Sequence, residues 1–99
     1  MPAKLTITLD SHLSFPAHIS FTLVDGDAVL LNTHTNKYFA LEEVGARFWT
    51  LLKGGKSLRD AYQILLDEYE VGPAELEQDL LELTQHLLEN GLVETVALV

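Results

Sequence analysis

Apolar residues alternate with polar ones in the first half of the chain and recur every three to four positions in the second. Ile19, Phe21 and Leu23 share one face of a strand over Ile19–Val24, with Ser20, Thr22 and Val24 on the other. Asp25-Gly26-Asp27 follows, and an Asp-Gly pair readily takes the positive φ of a tight hairpin. Ala28–Asn32 is the returning strand. Thr33-His34-Thr35-Asn36 makes a second turn, with Asn36 suited to a left-handed position. Lys37–Leu41 completes a meander, with Tyr38 and Ala40 facing one way and Lys37, Phe39 and Leu41 the other. Upstream, Leu5, Ile7 and Leu9 alternate with Lys4, Thr6 and Thr8, which predicts a short strand before Asp10-Ser11-His12 and Pro16 interrupt it. Residues 1–18 are therefore expected to form an arm that adds a strand or docks on a second copy.

Three amphipathic helices follow. In Glu43–Leu52, Val44, Phe48, Leu51 and Leu52 fall on one face with Trp49 beside them. Gly45 weakens this helix by about 1 kcal/mol relative to alanine, which suggests a close approach by another element. Gly54-Gly55 ends it. Ser57 caps the second helix, with Asp60 three residues on, and Leu58, Ala61, Tyr62, Leu65, Leu66 and Tyr69 form its buried stripe. Gly72-Pro73 opens the third helix, where Glu75, Glu77 and Asp79 suit the dipole. Leu76, Leu80, Leu83 and Leu87 make its core stripe, widened by Leu81, Thr84 and Leu88, and Asn90-Gly91 stops it. Leu92–Val99 is apolar enough to add a short strand or seal a contact between copies. The fold class is α+β: a winged-helix-like arrangement of a three-stranded antiparallel meander followed by three helices.

Ninety-nine residues suit one domain, and 47% apolar residues can fill its core without staples. The chain has no cysteine, so it has neither disulfides nor thiolate metal sites, which fits a reducing cytoplasm. No secretory signal is expected behind Met1-Pro2-Ala3-Lys4, and no apolar run is long enough to span a membrane. A formal net charge of −9 opposes binding to phosphate backbones and favours a basic or neutral partner.

The residues give little support to catalysis. His12, His18, His34 and His86 lack the recurring spacing of metal ligands, so neither metal nor cofactor is expected. Ser57 is a helix cap rather than a nucleophile, and no phosphate-binding or nucleophile-elbow motif is present. Glu75, Asp79, Glu82 and His86 recur along one side of the third helix, which by itself reads as a solvated face. That side gains interest if it borders an open strand edge. A meander leaves such an edge, and Lys37–Leu41 has only Lys37 as a guard against strand addition. A groove between this edge and the acidic helix would hold an extended peptide.

These features together resemble the PqqD-like family, the recognition elements for ribosomally made precursor peptides. The resemblance spans about residues 18–95. It rests on Asp25-Gly26-Asp27-Ala28-Val29-Leu30-Leu31-Asn32, Tyr38-Phe39-Ala40-Leu41, the run Val44–Leu52 and Gly54-Gly55. In the second half it rests on Tyr69-Glu70-Val71, Gln78-Asp79-Leu80-Leu81 and Leu87 through Gly91-Leu92-Val93. Two positions depart from the family pattern: Glu42 stands where many relatives have a capping Asn, and Asn36 where many have Gly.

The resemblance implies a domain over residues 19–95, between the arm and a tail at 96–99. It also implies a non-catalytic adaptor that binds a leader peptide by strand addition and presents it to a leader peptidase or modifying enzyme. The peptide would add to Lys37, Tyr38, Phe39, Ala40 and Leu41 and pack against Leu76, Asp79, Leu80 and Leu83. Among relatives, the chain is most similar to the stand-alone proteins of lasso-peptide pathways, with a PqqD-type chaperone for a radical-SAM enzyme as the alternative. The expected partners are thus a leader peptide and a pathway enzyme, with a homodimer through the terminal segments as a further expectation. The competing classes are a winged-helix DNA-binding regulator, which the charge opposes, and a small hydrolase subunit, which lacks a nucleophile–base pattern.

Overall fold

The computed structural model describes residues 7–96. In chain order the elements are β1 (Leu13–Ser14), β2 (Ile19–Val24), β3 (Asp27–Asn32), β4 (Lys37–Leu41), α1 (Glu43–Lys53), α2 (Leu58–Glu68), α3 (Pro73–Glu89) and β5 (Glu94–Thr95). Strands β2-β3-β4 form one antiparallel sheet, and β1 pairs with β5 in a separate ribbon. The architecture is α+β, a three-stranded meander followed by three helices, which "winged-helix-like" describes only loosely.

The first hairpin is closed by Asp25 and Gly26 at φ 50° and 88°. Two positive values make this a type I′ turn, whose twist matches that of the strands. The second turn places Asn36 at φ 59°, and the Asn32 side chain accepts from the His34 N–H at 2.9 Å. Glu42 offers no side-chain cap to α1. Instead Asp27, at the start of β3, accepts the Glu43 N–H through Oδ1 at 3.3 Å, so the sheet supplies what the missing cap does not.

Helix α1 lies between two cores. Phe48, Leu51 and Leu52 pack with Leu58, Leu65 and Leu76 of the helical core. Ala46 and Trp49 turn to the sheet, among Ile19, Leu30 and Leu87. Trp49 also meets the edges of Phe15, at a centroid distance of 5.4 Å, and Phe21, at 6.0 Å. The arm is thus fastened to the sheet core by an aromatic contact.

The arm departs from the strand expected over Leu5–Leu9. Leu5 lies outside the described residues, and Ile7 through Leu9 form no strand. Thr8 and Ser11 close a turn instead, with the Ser11 N–H donating to the Thr8 carbonyl at 3.0 Å and the Thr8 N–H to Ser11 Oγ at 3.0 Å. That turn drops Leu9 into the helical core at 6% exposure. Strand pairing comes later, at Leu13↔Thr95 and Ser14↔Glu94. The apolar end of the chain therefore adds a short strand, and the two terminal segments pair with each other. Residues 97–99 lie outside the described residues.

One ion pair joins α1 to the end of α2. Arg47 reaches Glu68 with both Nε (3.0 Å) and Nη2 (2.8 Å). The Arg47 hydrogen bonds hold the Glu68 carboxyl below its ordinary value, and they raise Arg47 in turn. A carboxylate depressed in the folded state stabilises the fold above its unfolded pKa of about 4.3, and loses that contribution as pH falls through the folded value. Glu68→Gln should therefore lower the Tm at pH 7, with a gap from the parent that narrows on acidification below about pH 4. Thermal scans of both proteins at pH 7 and at pH 3 would check this. A gap that is constant with pH would show that the pair contributes nothing through charge.

Candidate functional site

The free edge of β4 can be assigned atom by atom. A two-residue hairpin closes on a hydrogen-bonded pair, here Val24↔Asp27. Main-chain groups alternate along a strand, so Asp27, Val29 and Leu31 point to β2, whereas Ala28, Leu30 and Asn32 point to β4. Two loop contacts agree with this alternation: the Thr33 N–H donates to the His18 carbonyl, and the Asn32 carbonyl accepts from Asn36. The partners of Ala28, Leu30 and Asn32 are Leu41, Phe39 and Lys37. Those three residues spend their main-chain groups on β3. Tyr38 and Ala40 direct theirs outward, to an edge unpaired among the described residues.

Helix α3 runs alongside this edge. At one end, a Cβ placed on Gly45 would lie 3.4 Å from Leu83 Cδ2 and 3.7 Å from Leu41 Cβ, so β4, α1 and α3 converge there. At the other end, a cavity of about 270 Å³ is lined by Lys37, Tyr38 and Phe39 from β4, Glu89 and Asn90 from the end of α3, and Leu92. Between the two ends lies a trough, floored by Phe39, Leu41 and Leu83, which pack on the sheet core. Asp79 and His86 sit one turn before and one turn after Leu83 and are exposed, so these two members of the stripe flank Leu83, whereas Glu82 lines a cavity with Ile7 of the arm.

The expected site residues divide into three groups. Tyr38, 70% exposed, and Ala40 are open to solvent on the outer face, while Lys37, at the start of the opposite face, and Asp79 of α3 are exposed as well. Phe39 and Leu83 are half-buried in the trough, and Leu41 is buried beneath it. Leu76 and Leu80, at 3% and 2% exposure, belong to the helical core and support α3 from behind. Glu89, Asn90 and Leu92 were not anticipated. Their signal was weak because a helix terminus reads as a stop rather than as a wall.

Gly45 answers to side chains, not backbone. The Leu83 contact at 3.4 Å is ordinary van der Waals distance to the end of a flexible chain. Gly45→Ala is therefore expected to stabilise the protein by about 0.5–1 kcal/mol through helix propensity. A urea titration should give a higher midpoint at unchanged slope. A lower midpoint would mean that the trough has no room even for a methyl group.

His18 and His34, far apart in sequence, stack at 3.9 Å with rings 7° from parallel. Among the described residues, no group of three or more His, Cys, Asp or Glu side chains is placed to hold a metal ion.

The family model for coenzyme PQQ synthesis protein D (PqqD) matches residues 27–93, well over half of the chain. The chain belongs to the PqqD family. Two solved structures are similar to this PqqD-family fold over nearly their full length. TbiB1 in complex with the TbiA(beta) leader peptide is 31% identical, covers 84% of this chain and 96% of its own, and has a TM-score of 0.79. Lasso peptide synthetase B1 complexed with the leader peptide is also 31% identical, with 84% and 98% covered and a TM-score of 0.76. None of the curated proteins matches.

Proposed function

We propose that this PqqD-family protein is a non-catalytic adaptor that captures the leader segment of a ribosomally synthesised precursor peptide. The leader adds as a strand to β4 and is presented to a leader peptidase or modifying enzyme of a lasso-peptide pathway. The observation that carries this reading is the outward edge of Tyr38 and Ala40, set beside a trough that ends on Leu83. The leader-peptide complexes of its structural relatives support the same occupant. Main-chain pairing supplies affinity that tolerates sequence, while the trough and the end cavity at Lys37 and Glu89 select side chains. Asp79 adds charge selectivity for basic residues in the leader. The lack of cysteine and of any described helix able to cross a membrane supports work in the cytoplasm.

A second reading has its own support in the family match: a PqqD-type chaperone serving a radical-SAM enzyme. The two differ in partner, not in how the peptide is held. Calorimetric titration of this protein with the leader encoded beside it tests the shared core. Saturable binding in the micromolar range or tighter is expected, and absence of binding at high micromolar protein would reject both readings.

A further inference from the structure

Half of the basic residues of this protein fall in one short run. The chain has six Lys and Arg against fifteen Asp and Glu, yet Lys53, Lys56 and Arg59 fall within seven consecutive residues. The fold turns that run, from the end of α1 to the start of α2, against the N-terminal arm and encloses a cavity of about 390 Å³. Its apolar surface comes from Leu13, Phe15 and Leu52, and its rim from His12, Lys53 and Lys56.

Two features leave this rim free to act. The ion pairs among the described residues are Arg47–Glu68 and Arg59–Asp10, so neither Lys53 nor Lys56 is neutralised by a described carboxylate. Lys53 is instead held over the Phe15 ring, with Nζ 5.0 Å from the centroid, which orients its charge without cancelling it. Helix α2 also begins here, behind its Ser57 cap, and adds the positive end of its dipole.

We propose that this pocket docks an acidic segment of a partner protein, with carboxylates on Lys53 and Lys56 and an adjacent apolar side chain over Leu13 and Phe15. Charge complementarity selects the occupant: on a molecule of net charge −9, this is the concentrated basic surface. The apolar floor favours a protein segment over a free anion, which would gain nothing from it. Location supports a separate role from the β4 trough. Gly45 underlies the trough near the start of α1, and Lys53 ends the same helix eight residues on, about 12 Å along its axis. One molecule can therefore hold a guest strand and a second protein at once. The proposal uses none of the trough residues and does not depend on strand addition.

The test is an amide-resolved NMR titration of the full chain with an acetylated peptide of about a dozen residues alternating Glu and Leu. A Lys–Leu peptide of the same length is the control, and free glutamate is the small-anion comparison. Saturable shifts confined to residues 11–15 and 52–59, absent with the control and weakened by salt, are expected. The variant Lys53→Glu/Lys56→Glu should weaken that binding by about tenfold or more. It should leave the dispersion of the spectrum and the leader affinity unchanged, because both lysines are exposed. Shifts elsewhere, no shifts, equal binding by the double variant, or equal perturbation by free glutamate would each overturn the docking surface.

Discussion

Replacing Ala40 with proline should leave the protein folded and weaken leader binding by about tenfold or more. Ala40 points its N–H away from β3, so the substitution removes no hydrogen bond from the β3–β4 ladder. Phe39, which precedes it, is already extended, the conformation that a following proline favours. What is lost is a donor to the incoming strand, and the ring takes its place on the edge that strand must approach. Phe39→Pro is the informative contrast. The N–H of Phe39 faces Leu30, so proline there breaks the ladder itself and lowers stability. Calorimetry with the leader, paired with urea unfolding of both variants, separates the two effects. Unchanged leader affinity in Ala40→Pro would mean that main-chain pairing at β4 is not how the peptide is held.

Trp49→Ala should cost about 3–5 kcal/mol, the largest loss expected from any single truncation here. The indole is 1% exposed and fills the space between α1 and the sheet, with Phe15 and Phe21 edge-on to it. Its removal leaves a cavity that neither the arm nor β2 can close without giving up strand pairing. Against a total stability of about 5–15 kcal/mol for a domain, such a loss leaves a substantial unfolded population at 37 °C. Trp49→Phe should be far milder. It keeps most of the ring, and it removes an Nε1–H that is buried without a partner among the described residues and so carries a cost of about 1–3 kcal/mol. Circular dichroism in urea is the suitable probe, because Trp49 is the only tryptophan and both variants lose its fluorescence. Equal destabilisation by Ala and Phe would contradict the packing account, because both variants lose the N–H and only Phe keeps a ring in the space.

The parts of this fold that local chemistry dictates were legible in the sequence. Asp25-Gly26 forces a hairpin because few other pairs accept two positive φ values, and Asn36 takes the third such position in the meander. Ser57 and Pro73 mark helix starts because each solves the problem of unpaired first-turn N–H groups. The arm was harder to read. Its alternation over Leu5–Leu9 fits a strand as well as it fits a turn that buries Leu9, and only the competing Thr8–Ser11 hydrogen bonds decide. The β1–β5 ribbon joins residues some eighty apart, and two-residue strands carry no periodic signal.

The candidate site was legible on its strand side and less so on its helix side. Alternation fixes which way Tyr38 and Phe39 face. On α3, a wide apolar stripe meets two neighbours, and periodicity does not say which leucine serves which. Leu76 and Leu80 went to the helical core, whereas Leu83, three residues past Leu80, packs against both cores at the floor of the trough. The stack of His18 on His34 and the basic pocket at Lys53 and Lys56 depend on contacts between segments distant in sequence, and no local pattern announces them.

Hydrogen exchange at the amides of Tyr38 and Ala40 probes the account at its centre. In the free protein both should exchange rapidly, while their neighbours Phe39 and Leu41, bonded to β3, are protected. Saturating leader should slow Tyr38 and Ala40 to rates comparable with those neighbours. Two amides protected before any peptide is added, or still fast once the leader is bound, would contradict capture by a strand added to β4.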